Sequence, residues 1–200
     1  MRTLRALALL LFPVFVGAQS TAELPVGQRP LAQFAAERVA ITPVQYWRAD
    51  STGWSAAADG AQLRAELDSA FAREFRERAL GSRWAFADDV VRSARRHPTL
   101  RSDPATLGAG RWRTMPPAAG ETLSPLLGDN LRAVSALGDT RYALIPVELR
   151  GASGVATLRV VLVDTRRRVA VWYADLAVEG AVLGVADALA RRLADLVVDP

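Results

Sequence analysis

Three consecutive β-runs between Tyr142 and Val178, joined by two short turns, limit what this chain can fold into more than any other stretch. Side chains alternate across a strand, so a strand packed on one side is apolar at every second position. In the first run Ala143, Ile145, Val147 and Leu149 share one face, and Tyr142, Leu144, Pro146, Glu148 and Arg150 the other. In the second, Ala156, Leu158, Val160 and Leu162 oppose Val155, Thr157, Arg159, Val161 and Val163. In the third, Ala170, Trp172, Ala174, Leu176 and Val178 oppose Val169, Val171, Tyr173, Asp175 and Ala177. One nearly pure apolar face and one mixed face per run predict an antiparallel meander, covered by helices on one side and more open on the other.

The turns agree with this. Gly151, Ala152, Ser153 and Gly154 tolerate the positive φ of a tight hairpin. The five residues from Asp164 to Arg168 are polar and lack glycine, which predicts a reversal built around a type I turn. Pro146 cannot donate to a ladder, so the first run belongs at a sheet edge or carries its proline at an unpaired position. The second run has no Gly or Pro and is expected to be central.

The chain begins with a different kind of segment. Arg2 and Arg5 precede the apolar run Ala6 to Val16, followed by the small residues Gly17 and Ala18. This pattern is that of a secretory signal over 1–18, with cleavage before Gln19. The apolar run is short for a membrane span, so a periplasmic or secreted protein is expected. The 200 residues contain no cysteine. That leaves no lipidation site, no thiolate metal site and no cysteine nucleophile. The pI of about 10.5 invites a nucleic-acid reading, but all 25 basic residues are arginine, against 21 acids. Losing Arg2 and Arg5 with the signal leaves a charge of only about +2, and the pI reflects the high pKa of arginine. Nucleic acid is not an expected partner.

Between signal and meander the chain alternates. Residues 19–37 read as an exposed leader that ends in a helical turn. Arg38 to Trp47 is a first strand, with Pro43 arguing for an edge or a strand end. Leu63, Leu67, Ala70, Phe71 and Phe75 share one face of a helix over about 57–80, with Gly81 just past its end as the stop. Ser82 to Phe86 is a short strand. Asp88 and Asp89 open a helix that runs to Arg96 and is closed by Pro98. Residues 98–128 hold five prolines and four glycines, which predicts a long irregular connection, functional or mobile. A short helix over 129–137 leads into the meander. Val182, Val185, Leu189, Leu193 and Leu196 form one face of a closing helix, opposite a solvated salt-bridge face of Asp187, Arg191 and Asp195. Residues 38–200 are thus expected to be one domain of the α/β (α+β) class, a sandwich with a mixed sheet and a C-terminal three-stranded antiparallel meander packed by helices.

No constellation for catalysis emerges. His97 is the only histidine, placed at a helix end where a capping role fits. Asp88 and Asp89 are adjacent and on a helix point apart, whereas a glycosidase pair must face one site. There is no P-loop and no nucleophile elbow, and no cofactor is implied. Two clusters read as possible partner contacts. Arg111, Trp112 and Arg113 place an indole between two cations, a composition common in binding hot spots; the alternative is that Trp112 tucks under the loop. Arg166, Arg167 and Arg168 are either a solvated turn or a contact for an acidic partner or anionic headgroups.

The run Val160-Val161-Leu162-Val163-Asp164, the following Val171-Trp172, and the closing helix over 188–197 resemble a group of exported bacterial modules. These are the N-terminal domain of the Tol-Pal translocation protein TolB, the curli-secretion proteins, and the periplasmic activators of penicillin-binding proteins. Val39 to Val44 is similar to their first strand. Arginines at 166 and 167 replace their usual Thr-Gly turn. The resemblance implies a fold and a cell-envelope setting, without catalytic residues to carry over. The leading expectation is an exported, non-catalytic envelope module that binds another envelope protein. The alternatives are a small envelope hydrolase acting through carboxylates, which requires a cleft with facing acids, and a protein peripherally associated with a membrane surface.

Overall fold

The structure is a computed structural model, and it describes residues 29–50, 54, 59–100, 102–180 and 182–198. The expected signal over 1–18 and residues 19–28 of the expected leader lie outside the described residues. In chain order the elements are β1 (Val39–Ile41), β2 (Tyr46–Ala49), α1 (Gly60–Glu77), β3 (Trp84–Ala85), α2 (Ala87–Arg96), α3 (Pro125–Gly138), β4 (Tyr142–Ala152), β5 (Val155–Asp164), β6 (Val169–Glu179) and α4 (Val185–Asp195). One six-stranded mixed sheet has the order β3-β1-β4-β5-β6, with β2 also pairing with β4. The meander β4-β5-β6 is antiparallel, and β1 and β2 both run parallel to β4. The fold is α+β.

The strand expected over 38–47 is therefore two strands. Pro43 lies in the break between them, and the Thr42 and Gln45 N–H groups still donate to the Leu144 and Pro146 carbonyls, at 3.0 and 2.9 Å. This changes the place of Pro146. Its strand is not an edge but lies between β5 on one side and β1 with β2 on the other. The proline is tolerated because the β4–β5 register shifts between Pro146 and Glu148.

That bulge also corrects the alternation. One extra residue reverses the facing of everything after it. Tyr142, Leu144 and Leu149 pack into one core, while Ala143, Ile145 and Val147 pack into the other. A second shift, between Leu162 and Val163, sends Ala170 to the opposite side from Trp172, Ala174 and Leu176.

Both faces of the sheet are covered, not one. On the first face α1 and α4 pack Leu67, Phe71, Phe75, Leu189 and Leu193 against Leu158, Val160 and Leu162. Each such buried side chain contributes roughly 1.5–3 kcal/mol. Leu31 and Phe34, inside the expected exposed leader, are buried in this core, and the Leu31 N–H donates to the Leu196 carbonyl at 3.1 Å. On the second face Leu127, Leu131 and Val134 of α3 join Leu107, Trp112 and Leu123 of the irregular segment over Ile145, Val147, Val161 and Val163.

Local signals account for the element ends. The hairpin Ser153–Gly154 has φ values of 48° and 80°, the two positive values of a type I′ turn. α3 starts at Pro125, four residues before the expected start at Asp129, because Ser124 caps it and proline suits the first helical position. α1 ends at Glu77, and the left-handed residue behind it is Ala79, with φ 62°, rather than Gly81. Asp187 and Arg191 of α4 are exposed as expected, but the acids pair across to α1 and the residue that caps it, Asp187 with Arg73 and Asp195 with Arg78.

Candidate functional site

The segment between α2 and α3 is irregular yet held in place from several elements. Gln45, in the break between β1 and β2, is buried. Its amide nitrogen donates to the Pro43 and Pro104 carbonyls at 2.7 and 2.9 Å, and its oxygen accepts from the Leu107 N–H at 2.8 Å. Asn130 of α3 donates to the Leu107 carbonyl at 3.1 Å. At the far end Gly120 and Leu123 donate to the Ala170 and Arg168 carbonyls, and Ala170 donates to Glu121. The segment thus ends as a short addition to the edge of β6.

Its middle is a 3-10 turn over Gly110–Arg113, and here the two arginines and the tryptophan part company. Trp112 is 5% exposed and packs in the second core, so its indole is not an exposed partner contact but tucks under the loop. Arg113 turns inward: its Nε donates to Glu148 at 2.7 Å, and its guanidinium lies 4.8 Å from the Tyr46 ring centre. Arg159 completes the anchor. It donates to the Trp112 and Arg113 carbonyls at 2.9 and 3.0 Å and pairs in two-pronged fashion with Asp175 at 2.7 and 2.6 Å. Strand register explains the meeting, since Tyr46 lies opposite Glu148, Glu148 opposite Arg159, and Arg159 opposite Asp175. A single polar row therefore crosses four strands, with Glu148, Arg159 and Asp175 paired within the fold.

Arg111 points outward, with a 3.4 Å pair to Glu121. Met115 and Leu126 are also exposed. Beside them is a depression of about 50 Å³ lined by Arg111, Trp112, Leu123 and Leu127 among others, large enough for one side-chain tip.

The turn arginines divide in the same way. Asp164, 2% exposed, organises the turn. One of its oxygens accepts from the Arg166 and Arg167 N–H groups, and the other from Arg141. Burial works against this carboxylate, but the Arg167 N–H, the Arg141 guanidinium and the Arg166 N–H outweigh it and hold the carboxyl below its ordinary range. Arg168 folds back over Gly128, where any Cβ would lie 2.5 Å from its guanidinium, and pairs with Asp129 at 3.1 Å. Arg166 and Arg167 stay exposed.

Asp88, Asp89, His97 and Asp68 are placed otherwise. Asp89 pairs with Arg76 and Arg92 at 3.3 and 3.0 Å, and Asp88 is exposed. His97 is exposed, its Nδ1 2.9 Å from the Ser93 carbonyl. Asp68 of α1 has its carboxyl pushed up to about 7, chiefly by burial, against the opposing bond from the Val44 N–H. It faces the backbone of the β1–β2 break, not the 50 Å³ depression. Among the described residues no group of three or more His, Cys, Asp or Glu could hold a metal ion, and no helix is long and apolar enough to cross a membrane.

Comparison with known protein families and with curated proteins finds no match. Among solved structures, the chain is similar to the LpoB C-terminal domain from Salmonella enterica, at 11% identity and a TM-score of 0.43, over 72% of this chain and 83% of that one. It is also similar to a subunit of the PelC dodecamer from Paraburkholderia phytofirmans, at 12% identity and a TM-score of 0.42, over 82% and 88% of the two chains. E. coli LpoB matches at 12% identity and a TM-score of 0.43, over 90% and 83%. This is a weak resemblance at the level of the fold, and it carries no functional argument.

Proposed function

We propose that this chain is an exported, non-catalytic module of the cell envelope that binds another envelope protein through the surface of its 102–124 segment. The export half of the reading rests on the residue pattern over 1–18. The binding half rests on one observation: an irregular segment fixed by Gln45, Asn130, Arg159 and the edge of β6 that holds Arg111 and Met115 outward beside a small depression. An exposed loop ordered from beneath loses little entropy on docking, and arginine and methionine are enriched at protein contacts. The contact is narrower than the Arg111, Trp112 and Arg113 cluster taken together. Arg111 serves it directly, and Trp112 and Arg113 serve it from below as the platform. Arg166 and Arg167 stand exposed in the turn that opens onto the same edge of β6.

Site-specific photo-crosslinking in cells tests this. A crosslinker at Met115 is expected to give a discrete protein adduct, and Arg111→Glu to weaken it by about tenfold, the loss of a hot-spot arginine. A crosslinker at Leu183, exposed beside α4 on the other face, is expected to give none. The same adducts from both positions, or none from Met115, contradict the reading.

A further inference from the structure

β6 is the last strand on one side of the sheet, and among the described residues only the start of its outer edge is covered. There the Gly120 N–H donates to the Ala170 carbonyl at 2.8 Å, the Ala170 N–H to the Glu121 carbonyl at 2.9 Å, and the Leu123 N–H to the Arg168 carbonyl at 2.9 Å. Just beyond, the register shift opposite Leu162 and Val163 takes up Val171 as an extra residue, which reverses the facing of the backbone. At the other end the Gly180 N–H donates to the Gly154 carbonyl at 3.0 Å, on the β5 side. Residues of an antiparallel strand bond alternately to one side and the other. Asp175, Ala177 and Glu179 therefore turn their N–H and C=O groups outward, and no described residue pairs with them there.

Open edges are ordinarily guarded by prolines, basic side chains, bulges or shortness. The stretch 172–179 has no proline, no glycine, no basic residue and no bulge, and at about 3.3 Å per residue it runs about 26 Å. Its mid-strand charge is taken up inside the fold, where Asp175 pairs with Arg159. The apolar layer of the first face also continues to this edge. Ala156, Val160 and Leu162 of β5 are fully buried, whereas their neighbours Val178, Ala174 and Trp172 on β6 are only half-buried. A strand laid alongside completes both the ladder and the layer.

The bounds of the opening say which strand that is. A two-fold contact needs a patch that is complementary to itself. The opening is limited by the 120–123 segment at Ala170 and by the strand end at Gly180, and its midpoint is Leu176. Antiparallel pairing of two copies about Leu176 sets Asp175 opposite Ala177, Tyr173 opposite Glu179, and Ala174 opposite Val178. Outward-facing residues then meet outward-facing residues, each such pair can exchange two bonds, and no like charges meet. A two-fold at Asp175 brings the two aspartates face to face, and one at Ala177 sets Asp175 against Glu179. One at Ala174 drives Glu179 of the second copy against Val169, where Thr122 already pairs.

We propose that two copies of this chain pair edge to edge through β6, antiparallel about Leu176, so that their sheets become one. The pairing is separate from the protein contact over 102–124 and stands without it.

Sedimentation velocity of the purified protein from about 5 to about 500 µM tests this, with amide hydrogen exchange at both ends of the range. A monomer–dimer equilibrium is expected, with the Asp175, Ala177 and Glu179 amides exchanging at least about tenfold more slowly at the high concentration. Ala177→Pro removes an outward N–H and leaves the β5 ladder intact. Ala177→Asp sets a carboxylate opposite Asp175 of the second copy. Each is expected to weaken dimerisation by about tenfold or more, in a variant whose amide spectrum shows it folded. Arg95→Gln, on the exposed surface of α2, changes the net charge by the same amount as Ala177→Asp and is expected to leave the equilibrium as it is. A protein that stays monomeric over the whole range overturns the proposal. So does a dimer that both folded Ala177 variants form as readily as the wild type. Edge amides protected equally at every concentration overturn it too, since a segment of the same chain would then cover β6.

Discussion

Asp68 shows how one residue can oppose the fold it belongs to. Its carboxyl is pushed up to about 7 from an ordinary 3.8, first by burial, with the Val44 N–H bond opposing, Asp88 adding to the rise and Arg64 reducing it. Between those values the folded chain holds a proton that the unfolded chain has released. Stability from this group is therefore highest in mild acid, falls as the pH climbs from about 4 to about 7, and stays low above that. Asp68→Asn keeps an acceptor for Val44 and removes the titration. It is expected to be more stable than the wild type by about 1–3 kcal/mol at pH 8, with the difference closing near pH 4. Urea unfolding at the two pH values checks this, and a difference independent of pH would sink it. Asp68 could be placed on α1 from sequence. Its burial could not, because it depends on the backbone break at Pro43. The polar row was more legible, since Glu148, Arg159 and Asp175 each sit on the mixed face of consecutive runs. What remained hidden was the bulge at Pro146 that brings Glu148 into line with Arg159.

At the level of elements, regular periodicity was readable and its interruptions were not. α1, α4 and the extents of the three meander strands follow from spacing alone, because each carries a long apolar run, whereas the facing within β4 and β6 does not. The bulges leave no mark in the sequence because valines occupy both faces near them: Val147 beside one, Val161 and Val163 beside the other, each as acceptable in either core. Pro125 reads as a breaker when it in fact begins α3 behind the Ser124 cap. The end of α1 offers a direct test. Ala79 adopts φ 62°, a conformation that costs a residue with a Cβ about 1 kcal/mol and glycine almost nothing. Ala79→Gly is expected to raise stability by about 0.5 kcal/mol once the greater freedom of glycine in the unfolded chain is subtracted. Thermal unfolding reads it. A destabilised variant would mean that α1 does not end in this left-handed turn.

For the molecule as a whole, the decisive feature is the double-sided cover of the sheet. The sequence pointed to one covered face, since a segment rich in proline and glycine has no period by which its apolar residues could be recognised as a layer. Yet Leu107, Trp112 and Leu123 from that segment are all buried, Leu107 as deeply as the helical core. The segment can do this because backbone groups that lack helix or strand partners are met by Gln45, Asn130 and Arg159. The functional reading depends on the same point, because a binding surface preorganised in this way must be rigid before any partner arrives.

Amide hydrogen exchange on the isolated protein measures that rigidity directly. The Leu107, Gly120 and Leu123 amides are expected to be protected by at least about 100-fold over an unstructured chain. Arg159→Leu, which strips the anchor from the Trp112 and Arg113 carbonyls, is expected to raise exchange across 110–115 by about tenfold while β4 and β5 keep their protection. Exchange of the Leu107, Gly120 and Leu123 amides at unprotected rates in the wild type would contradict a fixed docking surface.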